Sequence, residues 1–323
     1  MSIVTTPGVY FIPHYSVYAG SPATSKLRVV FDASATSGSK SSLNQCLYTG
    51  PKLQQDIVDI LFRFRIYEYA FTADVCKMYR QILVLPEYRK FQHIFWRPSP
   101  LDKIEEFELN TVTYGTNCAP FLALRVLQDI AEQECTDLPQ VRNALQRQTF
   151  VDDICVGASS TSELLQLQSD LQMVLGSAGL ELKKWSSNSV QVLSAVLPEN
   201  RAVTAVNFND HDGGLVKVLG LQWQSYKNVF EFKVQLSSKA FTKRSVLSAI
   251  AQIFDPLGFI APVVFHAKHI LQLIWKTELN WDDPLPQYLA ARWQAFVEDL
   301  NALTNIQISR HISVAIFRSI YWV

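Results

Sequence analysis

The stretch "QTFVDDICVG", residues 148–157, sets two neighbouring acids, Asp152 and Asp153, inside an otherwise apolar run. In low-dielectric surroundings adjacent carboxylates repel, and one takes up a proton unless a cation shares the site. Side chains alternate along a regular strand, so the two acids cannot both face one point from its middle. The run therefore reads as a tight hairpin with the acids at its turn. There, one or both carboxylates can approach a divalent ion, whose charge favours their ionised form.

A third acid is then expected from a neighbouring strand. Asp74 in "AFTADVCKMYRQI" is the candidate, because it stands at the end of a β-like run and a helix-rich segment separates it from the pair. Oxygen ligands from three carboxylates suit Mg²⁺ or Mn²⁺, which keep positions open for water and phosphate. The chemistry implied is phosphoryl transfer with two metal ions, in which the protein mainly positions groups and neutralises charge. No side-chain nucleophile is needed. The chain carries no G-x-S-x-G elbow, H-E-x-x-H, Walker loop or G-x-G-x-x-G to point elsewhere.

At 323 residues, with 48% hydrophobic and 18% charged residues, the chain can bury a core shared by two or three substructures. No apolar run approaches the roughly 20 residues needed to span a bilayer, and no secretory leader opens the sequence, so a soluble intracellular protein is expected. The five cysteines form no C-x-x-C pair and are expected to be free thiols. A formal net charge of zero argues against indiscriminate nucleic-acid binding. Basic clusters at Lys26/Arg28, Arg63/Arg65, Lys77/Arg80, Lys183/Lys184 and Lys243/Arg244 are ordinary solvated faces unless a shared groove collects them.

The order of elements is informative. "KLRVVFDAS" reads as a strand with Leu27, Val29 and Phe31 on one face, followed by the flexible "SATSGSKSS" and a helix over residues 53–65. A β-rich run carries Asp74. After the turn "TYGTNCAP", Pro120 suits the first turn of a helix over 121–134. The acid-bearing hairpin, a helix over 161–180 and a second hairpin, "KVLGLQWQSYKNVFEFKVQL", come next. From Thr242 the texture is helical. Two other acidic stretches have plainer explanations: "WDDPLP", with Asp282 and Asp283, reads as structural, its acids capping or solvating a helix start, and "NDHDGG" (209–214) as a turn.

The motifs "FIPHYSV", "KLRVVFDAS", "SLNQCLYTGPKL", "TADVCKMYRQI", "LNTVTYGTNCAPF", "FVDD", "VLGLQW", "TKRSVLSAIAQIFDPLGFIAP" and "WDDPLP" occur in one order over about residues 10–308. In this order the chain resembles the reverse transcriptases of Bel/Pao-type long-terminal-repeat retrotransposons. The resemblance implies an α+β right-hand polymerase, with fingers, an RRM-like palm built on an antiparallel sheet, and a helical thumb. By the same resemblance fingers would occupy 1–51 and 82–118, palm 52–81 and 119–235, a thumb-like helical domain 236–308, and a divergent tail 309–323.

The resemblance assigns Asp74, Asp152 and Asp153 to catalysis and metal binding. It places Tyr79 beneath the incoming sugar, excluding a ribose 2′-hydroxyl, and Lys26, Arg28, Tyr114 and Gly115 around the nucleotide. Leu219, Gly220, Leu221 and Trp223 would grip the primer, with Lys243 and Arg244 on a thumb helix following the phosphate backbone. Two Mg²⁺ or Mn²⁺ ions, deoxynucleoside triphosphates and a primed RNA or DNA template are the implied cofactor and partners, without a membrane, in the cytoplasm or a retroelement particle. After Asp299 there is no Asp or Glu. A ribonuclease H domain, whose metals need carboxylates, is therefore expected to be absent, as are the polyprotein's protease and integrase. The alternatives are a non-catalytic remnant that keeps the fold or only nucleic-acid binding, and, less favoured by the helices after the second hairpin, another two-metal palm enzyme such as a nucleotide cyclase.

Overall fold

The structure is a computed structural model that describes residues 1–4, 7–19, 26–36, 41–202, 215–232 and 241–312. The "NDHDGG" turn, the end of the second hairpin from 233 and the tail from 313 lie outside the described residues. The fold is mixed α/β, in two interleaved units: residues 1–54, 75–152 and 169–182 form one, and 55–74, 153–168 and 183–323 the other.

In the first unit, β-branched and aromatic residues pair His14–Ala19 with Lys26–Phe31 as an antiparallel ribbon, in which Ser16 opposes Val29 and Tyr18 opposes Leu27. A three-stranded sheet places Glu105–Glu108 between Ser2–Ile3 and His93–Trp96. Ile12, Ala33, Leu43 and Ile94 form a small core, with Phe31 and Phe107 packed against it. The buried His93 ring is tied at 2.7 Å to the Glu106 carboxylate. Helices Ala119–Gln133 and Pro139–Arg147 pack together, each with a proline in its first turn, where a missing N–H is harmless.

In the second unit, helix Ile57–Ile66 starts later than the periodicity suggested, because the Asp56 carboxylate accepts the Val58 N–H and caps it there. Its Ile60, Leu61 and Phe64 are buried, and the helix packs on strand Asp153–Ala158. That strand pairs antiparallel with Tyr69–Val75, whose other neighbour is Leu182–Ser187. Phe71 and Trp185 meet at 5.0 Å between these strands.

A second sheet of the same unit runs Leu215–Val218, Leu221–Gln224, Val229–Glu231, Gln307–Ser309. Its last strand ends at Ser309, the first residue of the stretch expected to be a divergent tail. The next residue, Arg310, is fully buried. Its guanidinium donates to the carbonyls of Phe64, Tyr67 and Glu68 and, at 2.6 Å, to the Asn228 side chain. It also lies over the Phe64 ring. Helices Lys243–Ala251, Ala261–Trp275 and Gln287–Asp299 close around a core that includes Val246, Ile270, Leu289 and Trp293. The first opens with a capping box between Thr242 and Ser245. Among the described residues no helix is long and apolar enough to cross a membrane. All five cysteines are thiols.

Candidate functional site

Asp74 is the penultimate residue of its strand and Asp153 the first of the adjoining one, and the antiparallel register sets them directly opposite each other. Directly opposed residues put their side chains on the same face of the sheet, so like charges there destabilise the ladder. The opposing positive charge comes from the next strand: the Lys184 ammonium meets the Asp74 carboxylate at 2.7 Å. Lys184 holds a left-handed backbone, φ +53°. Such a conformation is sparsely populated for a side chain of this type and is maintained by its surroundings. The three residues line a cleft of about 330 Å³ that also includes Thr72, Cys155 and Leu219. Burial, and then the Asp153 carboxylate, push the Cys155 thiol well above its ordinary range, so it stays protonated and inert.

Asp152 sits in the hairpin turn, as its position in an apolar run required. The preceding Val151 is left-handed, φ +53°, a costly state for a β-branched residue. Its N–H donates to the Gln54 side chain at 2.9 Å, which fixes the turn, and the Asp152 carbonyl accepts the Val75 N–H at 2.8 Å. The Asp152 carboxylate also acts on Tyr79: burial, and then this negative charge, raise the phenol's pKa.

Of the three acids expected to converge, the register brings together Asp74 and Asp153 as a cross-strand pair, and Asp152 precedes Asp153 in the chain. Among the described residues no group of three His, Cys, Asp or Glu side chains is arranged to hold a metal ion. Only Asp153 belongs to the ladder that opposes Asp74; Asp152 lies in the turn before it, where the cross-strand register does not apply.

The remaining predicted residues divide. Arg28 is exposed on the ribbon; Lys26 opposes Ala19 in the same ladder. The Tyr114 hydroxyl donates to the Val29 carbonyl at 3.0 Å, and its ring packs 5.1 Å from Phe31. Tyr114 lines a cavity of about 280 Å³ with Arg80, Trp96 and Phe31. Gly115 has φ +95°, and a Cβ there would collide with the Phe31 carbonyl oxygen, so glycine is required by the turn itself. Leu219 and Gly220 form the two-residue turn of a hairpin, both with positive φ.

Leu221 and Trp223, expected at the primer, are instead core residues at 3% and 0% exposure, with Trp223 edge-on to Phe64. Lys243 likewise departs from a phosphate-facing role: it is buried, donates to the Leu279 carbonyl at 2.8 Å and lies over the Trp275 ring. Arg244 is exposed and forms a two-pronged pair with Asp282 at 2.7 and 2.9 Å. That pair holds the Arg244 guanidinium pKa up and the Asp282 carboxyl pKa down. Asp283 accepts from the Asn280 backbone and side chain. The second acidic doublet has structural partners, an ion pair and a turn.

Two residues were not singled out from the sequence. Lys184 belonged to a basic doublet indistinguishable from a solvated face, and no local pattern marks Arg310.

A family model described as the Pao retrotransposon-like RNaseH-like domain matches residues 242–320. This corrects the expectation that nothing of ribonuclease H kind occurs in the chain and that the family pattern ends at 308. No curated protein matches. Among solved structures the chain is similar to the foamy viral protease-reverse transcriptase dRH in complex with double-stranded DNA, at TM-score 0.62 and 15% identity, over 93% of this chain and 45% of that one. It is also similar to the foamy viral protease-reverse transcriptase in complex with an RNA/DNA hybrid, at TM-score 0.59 and 13% identity, over 95% of this chain and 35% of that one. The chain thus spans less than half the length of either. These likenesses connect the sequence to Pao-type retroelements and its mixed α/β fold to that of foamy viral protease-reverse transcriptases.

Proposed function

We propose that the chain is an RNA-directed DNA polymerase domain of right-hand architecture, extending a primer 3′-hydroxyl with deoxynucleotides on an RNA or DNA template. The observation that carries this reading is the register that sets Asp74 against Asp153 beside the strained turn of Asp152. Carboxylate oxygens on adjoining strands, lining an open cleft, are donors of the kind hard divalent cations take. Asp74, Asp152 and Asp153 would hold Mg²⁺ or Mn²⁺. When bound, two such ions activate the attacking hydroxyl and stabilise the leaving pyrophosphate. The chain's own residues would position the reactants: Tyr79 under the sugar, and Arg28 as a forked donor to phosphate oxygens.

The family match favours a second reading, a nuclease built on residues 242–320. Three acids of that stretch have structural partners. Asp255 accepts the Phe259 and Ile260 N–H groups at 2.8 Å, and Asp282 and Asp283 are engaged as described.

Extension of an oligo(dT) primer on poly(rA) with Mg²⁺ or Mn²⁺ tests the proposal. Asp153→Asn or Asp152→Asn is expected to lower the rate more than about a hundredfold while primer–template binding persists. Equal incorporation by parent and variants sinks the assignment, and binding without extension by the parent marks a non-catalytic remnant.

A further inference from the structure

Two carboxylates set opposite each other on adjoining strands repel, and a nearby cation offsets that repulsion. The structure supplies one from within the chain. Lys184 reaches Asp74 at 2.7 Å from the neighbouring strand, and its left-handed backbone is a conformation that a lysine does not adopt without cause. The pair is asymmetric: the Asp74 side chain is 16% exposed, whereas that of Lys184 is 70% exposed. The ammonium therefore lies on the solvent side of the cleft, where it can withdraw without breaking the core. An exposed ion pair of this sort is weak and exchanges readily.

We propose that Lys184 is a cation placeholder. Its ammonium occupies the Asp74 carboxylate and must release it when a divalent ion binds there, so metal binding and the Lys184–Asp74 pair are mutually exclusive. In the exchange the ion's double charge replaces the ammonium's single one, and the lysine keeps its proton and moves to solvent or to an incoming anion. Lys184 is thus a positioning residue that holds the Asp74 carboxylate in place before the metal arrives, at the cost of some metal affinity. The inference rests on the metal-binding reading of the acidic pair.

Titration of the full chain with Mn²⁺, followed by calorimetry, separates the two. Lys184→Gln is expected to bind Mn²⁺ about two- to fivefold more tightly than the parent, as for removal of an exposed competing charge. Lys184→Arg, which keeps the charge, should bind like the parent. Thermal melting provides a readout that a simple strut would not move: Lys184→Gln should melt below the parent without Mn²⁺ and level with it at saturating Mn²⁺. Parent-like affinity for Lys184→Gln, with a melting deficit that Mn²⁺ does not remove, overturns the placeholder but leaves the metal site standing, provided that Asp153→Asn abolishes binding. Equal Mn²⁺ binding by the parent and Asp153→Asn overturns both.

Discussion

Tyr79 follows Lys77, a left-handed residue that breaks the Asp74 strand into a short 3₁₀ turn, Met78–Gln81. Its phenol is raised by burial first and by Asp152 second, and this fixes the sign of a pH effect. A group whose folded-state pKa exceeds its unfolded value contributes stability below the unfolded value, near 10.0, and loses it as pH rises through the folded one. Ultraviolet titration should therefore show one tyrosine ionising late. Asp152→Asn should bring that transition down without restoring the ordinary value, because burial is the larger cause. If the proposed role at the sugar holds, Tyr79→Ala should raise ribonucleotide incorporation relative to deoxynucleotides, read in the same extension assay. At this scale the sequence was most legible where a residue violated its surroundings: two acids in an apolar run demanded a turn and a third charge. It was least legible at Lys184, whose role depends on strand order, a property no local pattern encodes.

Turns and caps followed local chemistry. Thr242 with Ser245, Ser42 with Gln45, and proline at the start of Ala119–Gln133 are all readable from spacing. The strand Gln307–Ser309 with Arg310 is different, because its partners lie far off in sequence. Arg310 satisfies three backbone carbonyls at the end of helix Ile57–Ile66, and burial, then Arg65, push its pKa down to about 9. Arg65 in turn donates to the Arg310 and Ser309 carbonyls, so the two arginines lock strand to helix. Arg310→Lys, which cannot reach all of these acceptors from one ammonium, is expected to cost about 3 kcal/mol in urea unfolding, as for a buried charged network left partly unpaired. A loss within error would show that the strand is held by its ladder alone.

Across the molecule, the two acidic doublets test which carboxylates matter. Asp282→Asn removes an exposed partner of Arg244 and should leave primer extension unchanged, whereas Asp153→Asn removes it. The same preparations, assayed on an RNA/DNA hybrid, should release no RNA fragments, and hybrid degradation that is lost in Asp282→Asn would favour the nuclease reading of residues 242–320.

The amino-acid sequence alone determined the mixed α/β class, the hairpin at Asp152 and Asp153 and the strand that carries Asp74, because alternation, turn residues and charge in an apolar run are local properties. Tertiary structure alone decided that Asp74 faces Asp153, that Lys184 reaches Asp74 from a third strand, that Leu221, Trp223 and Lys243 turn inward, and that Arg310 is buried. Each of these depends on register and packing between distant segments, where a shift of one residue sends a side chain to the opposite face.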